Sequence, residues 1–279
     1  MTDWTTILVV VDEVDIDLVA GLVWELGVSG IEERPLADGC VELRIGCETA
    51  TSTAVIDSLS PRWSVRSESV AAETGLDAWR DHAQVWRAGS HVVVVPPWLE
   101  VPADATAGDL VLVIDPGHAF GSASHETTRL CLEAVVDLMA SGASVADIGC
   151  GSGVLAIAAA RSGASSVVAT DIAPEAIIAT LDNAQRNEVD DLVIVSTATI
   201  EELESAPFDL VLANIGAATL RSMADGLLAI TRPGGALVLS GILGEQIDSV
   251  VDEFVRLGAV CTEVRAEGEW RALVLHRPR

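Results

Sequence analysis

The run Val145-Ala146-Asp147-Ile148-Gly149-Cys150-Gly151-Ser152-Gly153-Val154-Leu155 passes from an apolar stretch through alternating glycines into a second apolar stretch. It reads as a buried strand, a turn and the start of a helix. Glycine has no Cβ, so Gly149, Gly151 and Gly153 let a nucleotide-like ligand approach the main chain, and the helix beyond offers unpaired N–H groups. In a dinucleotide site those groups hold a pyrophosphate. Asp147 argues for another ligand, because a carboxylate ahead of the turn repels phosphate but accepts hydrogen bonds from an ammonium group. The pattern Asp-x-Gly-x-Gly-x-Gly favours S-adenosylmethionine, which carries an amino acid and a sulfonium and no phosphate. Asp171 closes the next apolar stretch about twenty residues on, where a carboxylate accepts both hydroxyls of a ribose. It supports either nucleoside. Gly151-Ser152-Gly153-Val154-Leu155-Ala156 also satisfies the looser GxGxxA fingerprint, so a nicotinamide-dependent oxidoreductase stands as an alternative from a different class.

Two further groups are placed to do chemistry. Asp209-Leu210-Val211-Leu212-Ala213 reads as a strand that delivers Asn214 to a carboxyl edge, where ligands bind in α/β sheets. An Asn there is by itself a helix cap. At that edge, with a neighbouring main-chain carbonyl, it accepts hydrogen bonds from a substrate amine and aims the nitrogen lone pair at a methyl group. An amine attacks only when deprotonated, and free pKa values of about 7.7–8.0 for an α-amine and about 10.4 for lysine make the proton an obstacle. A neutral acceptor orients the amine without stabilising its charged form as a carboxylate would. The second group is Asp115-Pro116-Gly117-His118-Ala119-Phe120-Gly121-Ser122-Ala123-Ser124-His125-Glu126-Thr127-Thr128, a loop rich in glycine, hydroxyls and His. Ser124 or Thr127 is expected as the N-cap of the helix that follows. Functionally the loop can close over the donor, with Thr128 binding it and His125 shaping the acceptor pocket. No GxSxG elbow accompanies it, which disfavours a Ser-His-Asp hydrolase.

The elements that must position these residues alternate along the second half of the chain. Strands are predicted over 110–114, 145–148, 166–170, 192–196, 208–213, 236–240 and 270–276, with helices over 127–139, 155–161, 174–187, 218–230 and 245–257. This order predicts an open, mostly parallel sheet covered on both faces. Ahead of it, Ile7–Val11 reads as a strand, 16–26 as an amphipathic helix, 39–45 as a half-buried strand and 51–59 as a helix. A last strand from Val65 would complete a small α+β module in βαββαβ order. Residues 67–90, with Trp79 and Trp86 among polar neighbours, read as a connector. The expected organisation is 1–66, a connector 67–90, and 91–279.

Composition narrows the function. Of 279 residues, 16 are Lys or Arg and 42 are Asp or Glu, for a formal net charge of −26. Docking to nucleic-acid phosphate is disfavoured, and a basic protein partner suits the chain better. Solubility or adaptation to salt is the plain reading of the acidity. There is no lysine, which excludes Schiff-base chemistry and a P-loop lysine. Five scattered cysteines lack any CxxC pair, so neither a disulfide framework nor a zinc site is expected. No apolar run reaches the roughly 18 residues of a spanning helix, and a cytoplasmic protein without membrane attachment is expected.

Taken in order, Asp115-Pro116-Gly117 with Ala119-Phe120-Gly121, His125 with Thr127-Thr128, Asp147 to Gly153, Asp171-Ile172, Asp182-Asn183-Ala184 with Asn187, Asn214-Ile215, and Leu239-Ser240-Gly241-Ile242-Leu243 with Gln246 form a recognisable set. With Glu269-Trp270, the chain resembles the PrmA family, methyltransferases of large-subunit ribosomal protein eleven. The resemblance implies a ferredoxin-like N-terminal domain that recognises the substrate and a class I (Rossmann-like) methyltransferase domain. It implies S-adenosylmethionine-dependent methylation of the acceptor's α-amine and lysine ε-amines. Thr128, Gly149, Asp171 and Asn214 would contact the donor. The chain departs from the family pattern at Ser122-Ala123-Ser124, where a glycine-threonine loop is usual, at Thr219 in place of proline, and at Ala83-Gln84-Val85. These positions lie toward the acceptor, so another protein lysine or a small amine is the alternative acceptor, and a non-catalytic binding module a third possibility.

Overall fold

The computed structural model describes residues 4–12, 15–16, 19, 22–23, 26, 28, 30–36, 39–70, 83–115, 121, 123–203 and 207–279. The chain divides into two compact units, Met1–Ala83 and Gln84–Arg279.

In the first unit, strands β1 (Trp4–Asp12), β2 (Gly30–Pro35), β3 (Cys40–Glu48) and β4 (Val65–Val70) form one sheet in the order β2-β3-β1-β4. Every neighbouring pair is antiparallel. That order is the one produced by two split βαβ units, the ferredoxin-like arrangement. Burial alternates along β3, and Leu43 and Ile45 meet Ile7 and Val9 of β1 and Val55 and Leu59 of helix α1 (Thr49–Leu59) in one core. Of the helix expected over 16–26, Ile16, Val19, Leu22 and Val23 are helical, with Val19 and Val23 buried; its other positions are outside the described residues or, at Leu26, in a turn. Strands enter both ends of the expected connector, since β4 runs to Val70 and β5 (Trp86–Ala88) begins within it. Trp79 lies outside the described residues.

The second unit opens with a three-stranded sheet in which β5 pairs antiparallel with β6 (Val92–Val95), itself parallel to β7 (Leu110–Val113). The main sheet has seven strands in the order β10-β9-β8-β11-β12-β14-β13. These are β8 (Ser144–Ile148), β9 (Ser166–Thr170), β10 (Val193–Ser196), β11 (Phe208–Asn214), β12 (Thr231–Leu243), β13 (Val260–Glu267) and β14 (Trp270–His276). Pairing is parallel from β10 through β12 and antiparallel at β14 and β13. Helices α2 (Glu126–Leu138), α3 (Val154–Arg161) and α4 (Pro174–Arg186) follow the predicted order, as do α5 (Ala217–Ser222), α6 (Ala224–Ile230) and α7 (Ile247–Arg256). Successive residues of a strand point to opposite faces, and β11 shows it: Leu210 and Leu212 join one core with Leu132 and Ile157, Val211 and Ala213 the other with Leu220 and Phe254. The sheet is thus covered on both faces, as an α/β fold with a mostly parallel sheet requires. No helix among the described residues is long and apolar enough to cross a membrane.

In the main sheet and the helices that cover it, three elements differ from the sequence reading. The helix expected over 218–230 is two helices, broken at Met223 (φ −99°, ψ 5°). Ala217, Leu220, Ala224 and Leu227 are buried across the break, so the apolar period does not register it. The strand expected over 236–240 runs from Thr231 to Leu243, its start disguised by Pro233-Gly234-Gly235. Strand β13 was not expected at all, because as an edge strand it is largely exposed and has no apolar period.

Candidate active site at the switch point of the sheet

From β8 the chain winds outward to β9 and β10, then returns to place β11 on the other side of β8. The carboxyl ends of β8 and β11 therefore diverge into a crevice, the usual ligand position in such sheets. The sequence puts its glycine turn at one of these ends and Asn214 at the other.

Gly149, Gly151 and Gly153 all hold positive φ (76°, 55° and 79°), so the turn needs glycine. A Cβ on Gly149 would lie 2.7 Å from Ile215 Cγ2, and one on Gly153 2.6 Å from Thr180 Cγ2. The turn is pinned from β9: Gly149 N and Cys150 N donate to the Thr170 carbonyl at 2.8 and 3.0 Å. Thr180 Oγ1 of α4 donates to the Gly151 carbonyl at 3.0 Å. Asp171 accepts from Gly151 N through Oδ2 (2.9 Å) and from Ala173 N through Oδ1 (3.0 Å), which fixes its carboxylate beside the turn. Each oxygen retains a further lone pair for a hydroxyl.

Asp147 is 1% exposed. Its Oδ2 accepts from Ala156 N at 3.0 Å, in the first turn of α3, while Oδ1 is buried without a partner. Burial, reinforced by the charge of Asp171, raises its pKa from 3.8 to about 7 against the Ala156 hydrogen bond. The expectation that Asp147 meets an ammonium group is therefore narrowed to one oxygen, Oδ1, in a buried position.

On the other side, Asn214 Nδ2 donates to Thr128 Oγ1 at 3.3 Å. Thr128 is fully buried in the first turn of α2. The next residue, Ile215, donates its N–H to the Ser240 carbonyl at 3.1 Å. Gly241 (φ 86°) lets β12 come against it, since a Cβ there would overlap the Ile215 carbonyl. His125, and neither Ser124 nor Thr127, is the N-cap of α2: its Nδ1 accepts from Thr127 N at 3.3 Å and lies 2.8 Å from Thr127 Oγ1. The His125 ring meets Trp270 edge-on, with centroids 4.8 Å apart. The structure thus joins Thr128 to Asn214 and the glycine turn to Asp171, and sets His125 against Trp270. Pro116 to Phe120 and Ser122 lie outside the described residues.

Sequence reasoning gave no role to the side chains that hold this frame. Asn183 Nδ2 donates to the carbonyls of Asp115 (2.8 Å) and Ser152 (2.9 Å), and its Oδ1 accepts from Asp115 N (2.9 Å). Asn187 grips Val113 in the same two-way manner, at 2.7 and 2.9 Å. Ser152 Oγ reaches the Gly121 carbonyl at 2.8 Å. The i, i+4 spacing of two asparagines on one helix face was the available signal. The thiols of Cys131 and Cys150 are pushed up to about 12, chiefly by burial, so neither supplies a thiolate near neutral pH.

A turn with glycine at three positive-φ positions, bordered by two carboxylates, fits a cationic nucleoside better than a pyrophosphate. With the strand order, it defines the class I methyltransferases. Comparison with known sequences agrees: the family described as Ribosomal protein L11 methyltransferase (PrmA) matches residues 46–278. A ribosomal protein L11 methyltransferase of Syntrophotalea carbinolica is 36% identical over 97% of this chain and 97% of its own. One of Geotalea daltonii is 41% identical over 75% of this chain and 69% of its own. A crystal structure of ribosomal protein L11 methylase from Lactobacillus delbrueckii subsp. bulgaricus superimposes with a TM-score of 0.65 at 30% identity, covering 71% of this chain and 100% of that one. The chain belongs to the ribosomal protein L11 methyltransferase (PrmA) family. It is an S-adenosylmethionine-dependent methyltransferase, and the nicotinamide alternative falls away.

Proposed function

We propose that this chain methylates ribosomal protein L11, on its α-amine and lysine ε-amines, using the residues of the β8–β11 crevice. The main chain of Gly149, Gly151 and Gly153 would lie along the donor, Asp171 would accept the ribose hydroxyls, and Asp147 Oδ1 would draw its positive charge. Thr128 would close the donor side. When bound, S-adenosylmethionine supplies a methyl group on a sulfonium, a good leaving group, so the chain needs no nucleophile of its own.

The observation that carries the reading is the Asn214–Thr128 hydrogen bond. With Nδ2 committed to Thr128, the carbonyl Oδ1 is the atom left to accept from an amine. A neutral acceptor holds the nitrogen without raising its pKa, and alignment supplies much of the rate. His125, backed by Trp270, would shape the acceptor side. The 42 acidic side chains favour a basic protein over a phosphate-rich one.

A second reading, another protein lysine or a small amine as acceptor, draws on Ala123, which stands in the family's glycine-threonine loop at a φ of 62°. Incubation with S-adenosylmethionine and purified ribosomal protein L11, followed by intact mass, tests the acceptor. Gains in whole methyl units are expected. An unmodified L11 beside a methylated alternative amine would overturn the assignment.

A further inference from the structure

We infer that Arg129 is a positioning residue for the acceptor side of the site, clamping together the two walls that hold His125. The inference rests on the methyltransferase reading above and adds to it a residue outside the donor cradle.

Arg129 sits in the first turn of α2 with only 11% of its side chain exposed. Its guanidinium is used on every side. Nη2 and Nε donate to Glu267 Oε1 at 2.6 and 3.0 Å, and Nε also reaches Oε2 at 3.3 Å. Nη1 donates to the carbonyls of Ala123 (3.0 Å) and Ser124. The Cζ atom lies 5.2 Å from the centroid of the Trp86 ring, which adds a cation–π contact. Lysine could not make these contacts together, because only the planar fork reaches a carboxylate and two carbonyls at once.

What the clamp joins gives it meaning. Ala123 and Ser124 lead into His125, and Ala123 is held at a φ of 62° that a non-glycine residue rarely keeps. Glu267 ends β13, and the turn after it delivers Trp270, whose ring lies 4.8 Å from that of His125. Arg129 thus ties the loop to the hairpin, with the His125–Trp270 contact between them. Among the described residues, none of the cradle from Asp147 to Asp171 shares a hydrogen bond with Arg129. Loss of the clamp should therefore disturb the acceptor more than the donor.

The test uses the full chain with Arg129→Met, Arg129→Lys and Glu267→Gln. Two readouts are taken: S-adenosylhomocysteine affinity by calorimetry, and kcat and KM for methylation of ribosomal protein L11. A third, the NMR position of the His125 ring protons, which the Trp270 ring displaces, does not depend on the acceptor's identity. A misplacement of this kind costs up to about 10²-fold in rate, so Arg129→Met should lose about 10- to 100-fold in kcat/KM with donor affinity held within about twofold. Arg129→Lys should lose nearly as much, and Glu267→Gln, which keeps an acceptor, clearly less. The two Arg129 variants should also move the His125 signals toward those of an unstacked ring. Unchanged kinetics and unchanged His125 signals in Arg129→Lys would overturn the inference, as would donor affinity falling in step with kcat/KM. Should Arg129→Met fail to fold, Arg129→Lys and Glu267→Gln carry the same comparison. If wild type leaves L11 unmodified, the acceptor assignment fails, while the His125 signals still judge the clamp.

Discussion

Asp147→Asn should stabilise the donor-free protein while weakening its hold on the donor. Asp147 is 1% exposed, one oxygen is unpartnered, and its pKa lies at about 7 against an ordinary 3.8. An acid whose folded pKa is raised contributes stability that is complete below the unfolded value and is lost as pH rises through the folded one. The window here runs from about pH 4 to pH 7. Between pH 5 and pH 8 the loss works out at about 2–3 kcal/mol for these two pKa values. Asparagine stays neutral throughout and can still accept from Ala156 N. Urea unfolding of both proteins at pH 5 and pH 8, without donor, reads the difference directly, and the other carboxylates cancel in the comparison. The advantage of Asp147→Asn should grow by about 2–3 kcal/mol from pH 5 to pH 8, while its affinity for S-adenosylmethionine falls. An advantage that is absent, or equal at both pH values, would refute the claim that a buried carboxylate with one unpartnered oxygen is kept here for the ligand.

Other expectations follow from single contacts. Asn214→Ala should lower kcat about 10²-fold or more and weaken donor binding by less, since alignment is lost while the glycine turn is kept; calorimetry beside steady-state kinetics separates the two. Gly149→Ala should abolish donor binding, because its Cβ would lie 2.7 Å from Ile215 Cγ2 in a turn with φ 76°, and equilibrium titration would show it. Glu188 (φ 57°) follows α4 in a Schellman motif, with Glu188 N bonded to the Gln185 carbonyl and Val189 N to the Ala184 carbonyl. Glu188→Gly should therefore raise stability by about 1 kcal/mol, measured by denaturant unfolding. A net charge of −26 repels itself, so Tm should rise from about 10 mM to about 150 mM NaCl as the Debye length falls from about 30 to about 8 Å.

The donor half of the site was legible in the sequence because its chemistry is local. The turn from Asp147 to Gly153 and its partner Asp171 are separated by one helix and one strand, and a glycine at positive φ leaves a mark in the residue string. The framework was harder to read. Asn183 bonds Asp115 across 68 residues and Arg129 bonds Glu267 across 138, and nothing in either local pattern names the partner. The split between the two Asp147 oxygens was likewise hidden, since it depends on α3 bringing Ala156 N onto one of them. Among the elements, Met223 breaks a helix without breaking its apolar period, and the exposed edge strand β13 carries no period at all. In the N-terminal unit the alternation of Val41, Leu43 and Ile45 announced β3, whereas the sheet order required the pairings themselves.

The most direct measurement is a crystal structure of the full chain grown with S-adenosylhomocysteine. The nucleoside should lie along Gly149–Gly153, with its ribose hydroxyls on Asp171 and its sulfur opened toward Asn214. A nucleoside bound elsewhere, or one whose sulfur faces away from Asn214, would contradict it.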